Sequence, residues 1–90
     1  PFPEIFTIDN IYPNPFNPMV NINLSIDVAG HLQLSIFNID GVPIETIYNG
    51  PSAIGKSTFT WMPKNRASGF YFINAILGNR VETQKVLLLK

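Results

Sequence analysis

Cysteine is absent from this 90-residue chain. That removes disulfides, thiolate zinc sites and a cysteine nucleophile. Charge is sparse and balanced, with six basic and six acidic residues and a formal net charge of zero. No run of like charge exists, so the chain has neither a nucleic-acid footprint nor a polybasic membrane patch. Long apolar runs are missing too. Residues 86–89 form one of the longest, far short of the ~20 apolar residues that a membrane-spanning helix needs. No stretch of ten residues carries helical apolar spacing. Histidine and tryptophan occur once each, as His31 and Trp61. No pair of groups suited to acid–base or nucleophilic work stands out, so an enzyme is the least favoured class and no cofactor is expected. Residue 1 is not Met and no signal peptide is visible. The expectation is a fragment from the C-terminal end of a longer protein.

What is present is apolar and β-forming. Hydrophobic residues make up 46% of the chain and include seven Phe, which supports a packed interior. A chain this short buries roughly 60–65% of its unfolded surface, enough for one modest core. We therefore expect one domain, with residues 1–3 as linker and residues 4–90 as a β-sandwich. Residues 4–8 read as a short edge strand. Then Asp9-Asn10-Ile11-Tyr12-Pro13-Asn14-Pro15-Phe16-Asn17-Pro18 reads as a stiff connector. Proline keeps each preceding residue out of the helical region, and Asn side chains bond their own backbone in turns. Tyr12 and Phe16 would pin it as it passes from one sheet to the other. Residues 20–28 alternate strictly, with Val20, Ile22, Leu24, Ile26 and Val28 on the core face. After an Ala29-Gly30 turn, residues 31–37 put Leu32, Leu34 and Ile36 inward and His31, Gln33 and Ser35 outward. Asp40-Gly41 marks a turn. Pro43 confines the strand over residues 42–48 to an edge or a bulge. Residues 49–55 read as a loop, 57–61 as a strand with Phe59 and Trp61 on one side, and 63–68 as another loop.

The last third predicts a hairpin: residues 70–77, a Gly78-Asn79 turn, and a return over residues 81–89. About seven short strands with turns every ~8–12 residues fit an all-β, immunoglobulin-like antiparallel sandwich. Ala67-Ser68-Gly69-Phe70-Tyr71 suggests a tyrosine corner, with the Tyr71 hydroxyl bonding back to upstream backbone. A two-residue turn pairs Tyr71 with Val86, so Tyr71, Ile73, Ala75, Val86 and Leu88 face the core. Phe70, Phe72, Leu87 and Leu89 then share the outer face. Either they form a docking patch, or a register shift or bulge buries some of them.

Four sharper motifs have bland readings. Gly50-Pro51-Ser52-Ala53-Ile54-Gly55-Lys56-Ser57 matches the phosphate-loop pattern letter for letter, but Thr58-Phe59-Thr60-Trp61 continues as strand where the motif needs a helix N-terminus. A hairpin loop with a solvated Lys56 fits better. His31 lies beside a glycine turn without ligand spacing to Asp27 or Asp40. Asp9, Asp27, Asp40 and Glu45 offer oxygen ligands for calcium but no D-x-D-x-D run, so no metal site is expected. Asn23-Leu24-Ser25 is a glycosylation triplet inside a strand.

Several separate pieces resemble one family. They are Tyr12-Pro13-Asn14-Pro15-Phe16-Asn17-Pro18; Ala29-Gly30-His31 with Leu34-Ser35-Ile36-Phe37-Asn38 and Gly41; Phe59-Thr60-Trp61; Ala67-Ser68-Gly69-Phe70-Tyr71-Phe72; and the terminal Lys85-Val86-Leu87-Leu88-Leu89-Lys90. In this order and spacing, from about Phe6 to Lys90, they resemble the type A C-terminal sorting domain of the bacterial type IX (Por) secretion system. Flagellar-hook-capping immunoglobulin-like domains share part of the pattern. Met62-Pro63-Lys64-Asn65-Arg66 is short where many members have a longer Gly- and Asp-rich loop. The resemblance implies a non-enzymatic secretion signal that directs an N-terminal passenger across the outer membrane of a Gram-negative bacterium, to the medium or the cell surface. It implies two partners: the outer-membrane translocation machinery, and a sortase-like cysteine peptidase that cleaves the domain and attaches the passenger. The family's positions fall here on Pro13, Asn14, Pro15, Phe16, Gly69, Tyr71 and Lys85, Val86, Leu87, Leu88, Leu89 and Lys90. The alternative is a carbohydrate-binding accessory module of a secreted hydrolase, using Phe37, Tyr48, Phe70 and Phe72.

Overall fold

A computed structural model describes residues 6–90. The expected linker, and residues 4 and 5 of the expected first strand, lie outside them. Seven strands follow in order: β1 (Thr7–Tyr12), β2 (Val20–Ile26), β3 (Gly30–Phe37), β4 (Pro43–Ser52), β5 (Gly55–Trp61), β6 (Gly69–Leu77) and β7 (Arg80–Leu88). No helix occurs among the described residues, and so none long and apolar enough to cross a membrane. The strands form two antiparallel sheets, β1-β2-β5 and β4-β3-β6-β7, stacked as an immunoglobulin-like sandwich.

The alternation in the sequence builds the core. Val20, Ile22, Leu24 and Ile26 of β2 face Leu32, Leu34 and Ile36 of β3 and Ile73, Ala75 and Leu77 of β6, all buried. Fully burying a Val, Leu or Ile side chain contributes about 1.5–3 kcal/mol, so these positions carry most of the stability. The hairpin forms as its residues dictate. Leu77 pairs with Arg80 across a two-residue loop, and Tyr71 pairs with Val86. Gly78 takes the positive φ of 62° that the loop requires. Tyr71, Val86 and Leu88 point inward and are buried. Pro43 lies on an edge strand with two register shifts against β3, as a residue without an N–H must.

Several expectations are corrected. Among the described residues the first strand begins at Thr7 and runs past residue 8 to Tyr12, because Asn10 to Tyr12 also pair with β2 before the first proline intervenes. The connector shrinks to residues 13–19. It does not pass the chain between sheets, since β1 and β2 are neighbours in one sheet. Phe16 is buried but Tyr12 is exposed, so of the two aromatic residues only Phe16 pins it. β2 ends at Ile26, and Val28 is exposed in the sheet crossing that follows. Ser35 points outward yet is buried, because central β3 is flanked there by Thr46 of β4 and Asn74 of β6. β4 runs on to Ser52 through residues read as loop, since the β3 partner continues to Gly30 and supplies the pairing. The 50–57 segment is the end of β4, a crossing between sheets at residues 53–54, and the start of β5, and not a hairpin loop.

Candidate functional site

The prolines decide what happens after β1. Pro13, Pro15 and Pro18 have no N–H to give, so the segment cannot extend a regular ladder. It swings instead to the outer edge of β7 in the opposite sheet. The Phe16 N–H donates to the Leu87 carbonyl at 2.9 Å, and the Leu89 N–H donates to the Phe16 carbonyl at 3.1 Å. This is a one-residue parallel bridge opposite Leu88. The Leu87 N–H donates to Asn14 Oδ1 at 3.1 Å. Asn14 was expected to bond its own backbone; its amide oxygen reaches across to the terminal strand instead.

Under this clamp lies an aromatic stack. The buried Phe16 ring sits 5.6 Å from Trp61, and Trp61 meets Tyr71 edge-on at 5.3 Å. The Trp61 Nε1–H donates to Glu45 Oε1 at 3.1 Å, so its polar handle is satisfied. The Tyr71 hydroxyl donates to the Ala67 carbonyl at 2.7 Å, completing the tyrosine corner. Gly69 adopts φ 149°, where a side chain is strained. Next to it the Lys90 N–H donates to Ser68 Oγ at 2.9 Å. One end of the sandwich thus gathers Pro13, Asn14, Pro15, Phe16, Gly69, Tyr71 and the tail from Val86 to Lys90.

The tail alternates faces. Val86 and Leu88 are buried, Leu87 is half-buried, and Leu89 is 49% exposed. On the outer sheet face Phe70 is 45% exposed and Phe72 half-buried. Lys85 Nζ lies 4.7 Å from the centre of the Phe70 ring, a cation–π contact. Phe37 pairs with Phe72, and both line a groove of about 240 Å³ with Gly41, Asn74 and Thr83. Sequence reasoning missed Ser68 and Glu45, partners supplied by the fold; the only signal was the place of Ser68 inside the Ala67-Ser68-Gly69 motif.

The family described as secretion system C-terminal sorting domain matches residues 10–89. The chain belongs to that family. No curated protein matches the chain, and no solved structure does. A sorting domain of this family is the signal for type IX secretion, and the protein bearing it is exported through the outer membrane to the medium or the cell surface. Interaction with the type IX machinery follows from that role. The match favours the sorting domain over the carbohydrate-binding alternative. Tyr48 packs on Phe59 at 5.1 Å and donates its hydroxyl to the Pro51 carbonyl, so it is turned to the domain's own uses.

The decoy motifs have structural roles. No helix follows Lys56, whose Nζ lies 3.4 Å from Asp9 Oδ2 and 3.3 Å from Ser25 Oγ. His31 bonds Asn49 Oδ1 across β3 and β4. Asn23 donates to Asn10 Oδ1 and accepts from Thr58 within the three-stranded sheet. At the far end of the sandwich Arg80 grips Asp27 with two hydrogen bonds of 2.8 and 2.6 Å. The hydrogen bond from Arg80 holds the Asp27 carboxyl below its ordinary value.

Proposed function

We propose that this sorting domain acts by display, and that the clamped end of the sandwich is what the export machinery reads. Residues 1–3 serve as the linker from an N-terminal passenger, and residues 4–90 act as one recognised unit. The contact residues are Asn14 with Pro13 and Pro15, the exposed parts of the terminal segment from Lys85 to Lys90, and the outer-face side chains Phe70, Phe72, Leu87 and Leu89. Phe16, Gly69 and Tyr71 act from beneath, by holding that surface in shape. A sortase-like cysteine peptidase then removes the domain from the passenger; the domain itself contributes no catalytic group. One observation carries this reading: the hydrogen bonds that Asn14 accepts from Leu87 and that Phe16 exchanges with Leu87 and Leu89 join the connector and tail motifs into a single surface.

The test fuses the chain to a reporter in a host with the type IX system. Phe70→Ser with Leu89→Asp changes only exposed side chains. Loss of reporter export, with unaltered urea unfolding of the purified domain, supports the proposal. Unimpaired export refutes it.

A further inference from the structure

The two sheets have four edge strands, which are not equivalent, and β1 lies beside β7 where the sheets meet. β1 is bulged between Ile8 and Asn10. β4 carries Pro43 and Pro51 and two register shifts. Bulges and prolines are the usual devices that stop an edge from accepting another strand. β5 is regular but short, seven residues. β7 is nine residues long, without proline, and paired to β6 with no register shift.

Backbone parity fixes what the β7 edge offers. The N–H and C=O of Leu87 point away from β6, because Asn14 and Phe16 take them; so does the Leu89 N–H. Alternation along an unbroken ladder turns the backbone groups of Val81, Thr83 and Lys85 the same way. Among the described residues β7 is paired on that side only through Phe16. The chain therefore already adds one residue to this edge and stops, leaving the outward groups of three alternate residues in line with it. The side chains of Phe70, Phe72 and Leu87 adjoin the row on the outer face.

We infer that β7 is a strand-addition site, and that its occupant is an extended backbone segment of the type IX outer-membrane machinery. The segment lies along residues 81–85, end to end with the Asn14-to-Phe16 bridge, and its side chains settle on the apolar outer face. Main-chain bonds supply affinity in this mode, and the flanking face supplies selectivity. This inference rests on the display reading above and gives it a recognition mode.

Amide hydrogen exchange on the whole protein tests it, using detergent-solubilised translocon from a type IX host as the probe. Alone, the Val81, Thr83 and Lys85 amides exchange quickly while Glu82, Gln84, Val86 and Leu87 are protected; with translocon the first three slow. Protection of those three in the free protein means the edge is already filled and overturns the idea. Thr83→Pro removes an outward N–H and, with Thr83→Val as the control for the lost side-chain bond to Asn74 Oδ1, leaves the backbone ladder to β6 in place. It weakens translocon binding about tenfold relative to that control, as losing one or two hydrogen bonds does. Binding unchanged by Thr83→Pro overturns strand addition, as does a concentration-dependent dimer that this substitution abolishes. If Phe70→Ser with Leu89→Asp stops export while Thr83→Pro does not, the display reading survives and strand addition fails.

Discussion

Asn14 and Leu87 lie 73 positions apart in the chain and are joined by a 3.1 Å hydrogen bond from the Leu87 N–H to the Asn14 amide oxygen. With the two backbone bonds at Phe16 it makes a three-point attachment between the proline-rich connector and the terminal strand. The attachment ties the three-stranded sheet to the edge of the four-stranded one.

Asn14→Ala removes the acceptor but leaves the N–H at a surface where water can replace it. We expect a loss of about 0.5–1.5 kcal/mol in urea unfolding, with faster exchange of the Leu87 amide. Asn14→Asp keeps an acceptor oxygen and should restore slow exchange. Equal exchange in Ala and Asp variants would contradict the role given to this side chain.

Phe16→Ala empties a site that is 2% exposed. The expected cost is about 3–5 kcal/mol. Trp61 is the chain's single tryptophan and sits against that ring, so its emission should shift to the red as water enters. An unshifted spectrum with unchanged stability would show that the ring is not a keystone.

Gly69→Ala meets no neighbouring atom within 4 Å, so any penalty comes from backbone conformation. At φ 149° the expected destabilisation is about 1–3 kcal/mol. A substitution without effect on the denaturation midpoint would mean the backbone relaxes there freely.

Asp27 sets a pH dependence. Its carboxyl is held below the ordinary value, first by the hydrogen bond from Arg80. The unfolded chain therefore binds the proton more readily than the folded one. The Arg80 pair stabilises fully above the unfolded-state value and is lost as pH falls through the lowered folded-state value. Asp27→Asn should flatten stability against pH in that acidic window. A wild-type slope in the variant would count against it.

β2 was legible because its core phase is apolar and its other phase, Asn21, Asn23 and Ser25, is polar, so that Val20 to Ile26 could hardly pair in another register. The hairpin was legible from its Gly78-Asn79 turn and the tyrosine corner from the Ala67-Ser68-Gly69-Phe70-Tyr71 motif, although both phases of β6 are largely apolar. The β4 extension was not, because Asn49, Gly50 and Pro51 have poor strand preference and are held only by β3. Nor was the clamp. Proline spacing announces that ordinary pairing stops at Tyr12, but nothing local says that Asn14 will find Leu87. The connector and tail motifs could be recognised separately in the sequence; their meeting is a property of the fold.

That meeting also has an order in time. A ribosome releases Phe16 long before Leu88, and until residues 87–89 emerge the connector has no edge to hold and Trp61 no finished cover. A chain lacking residues 87–89 would display neither half of the signature in its folded form. The folded form of the connector is thereby made conditional on β7, the strand that follows it last in the order of the fold.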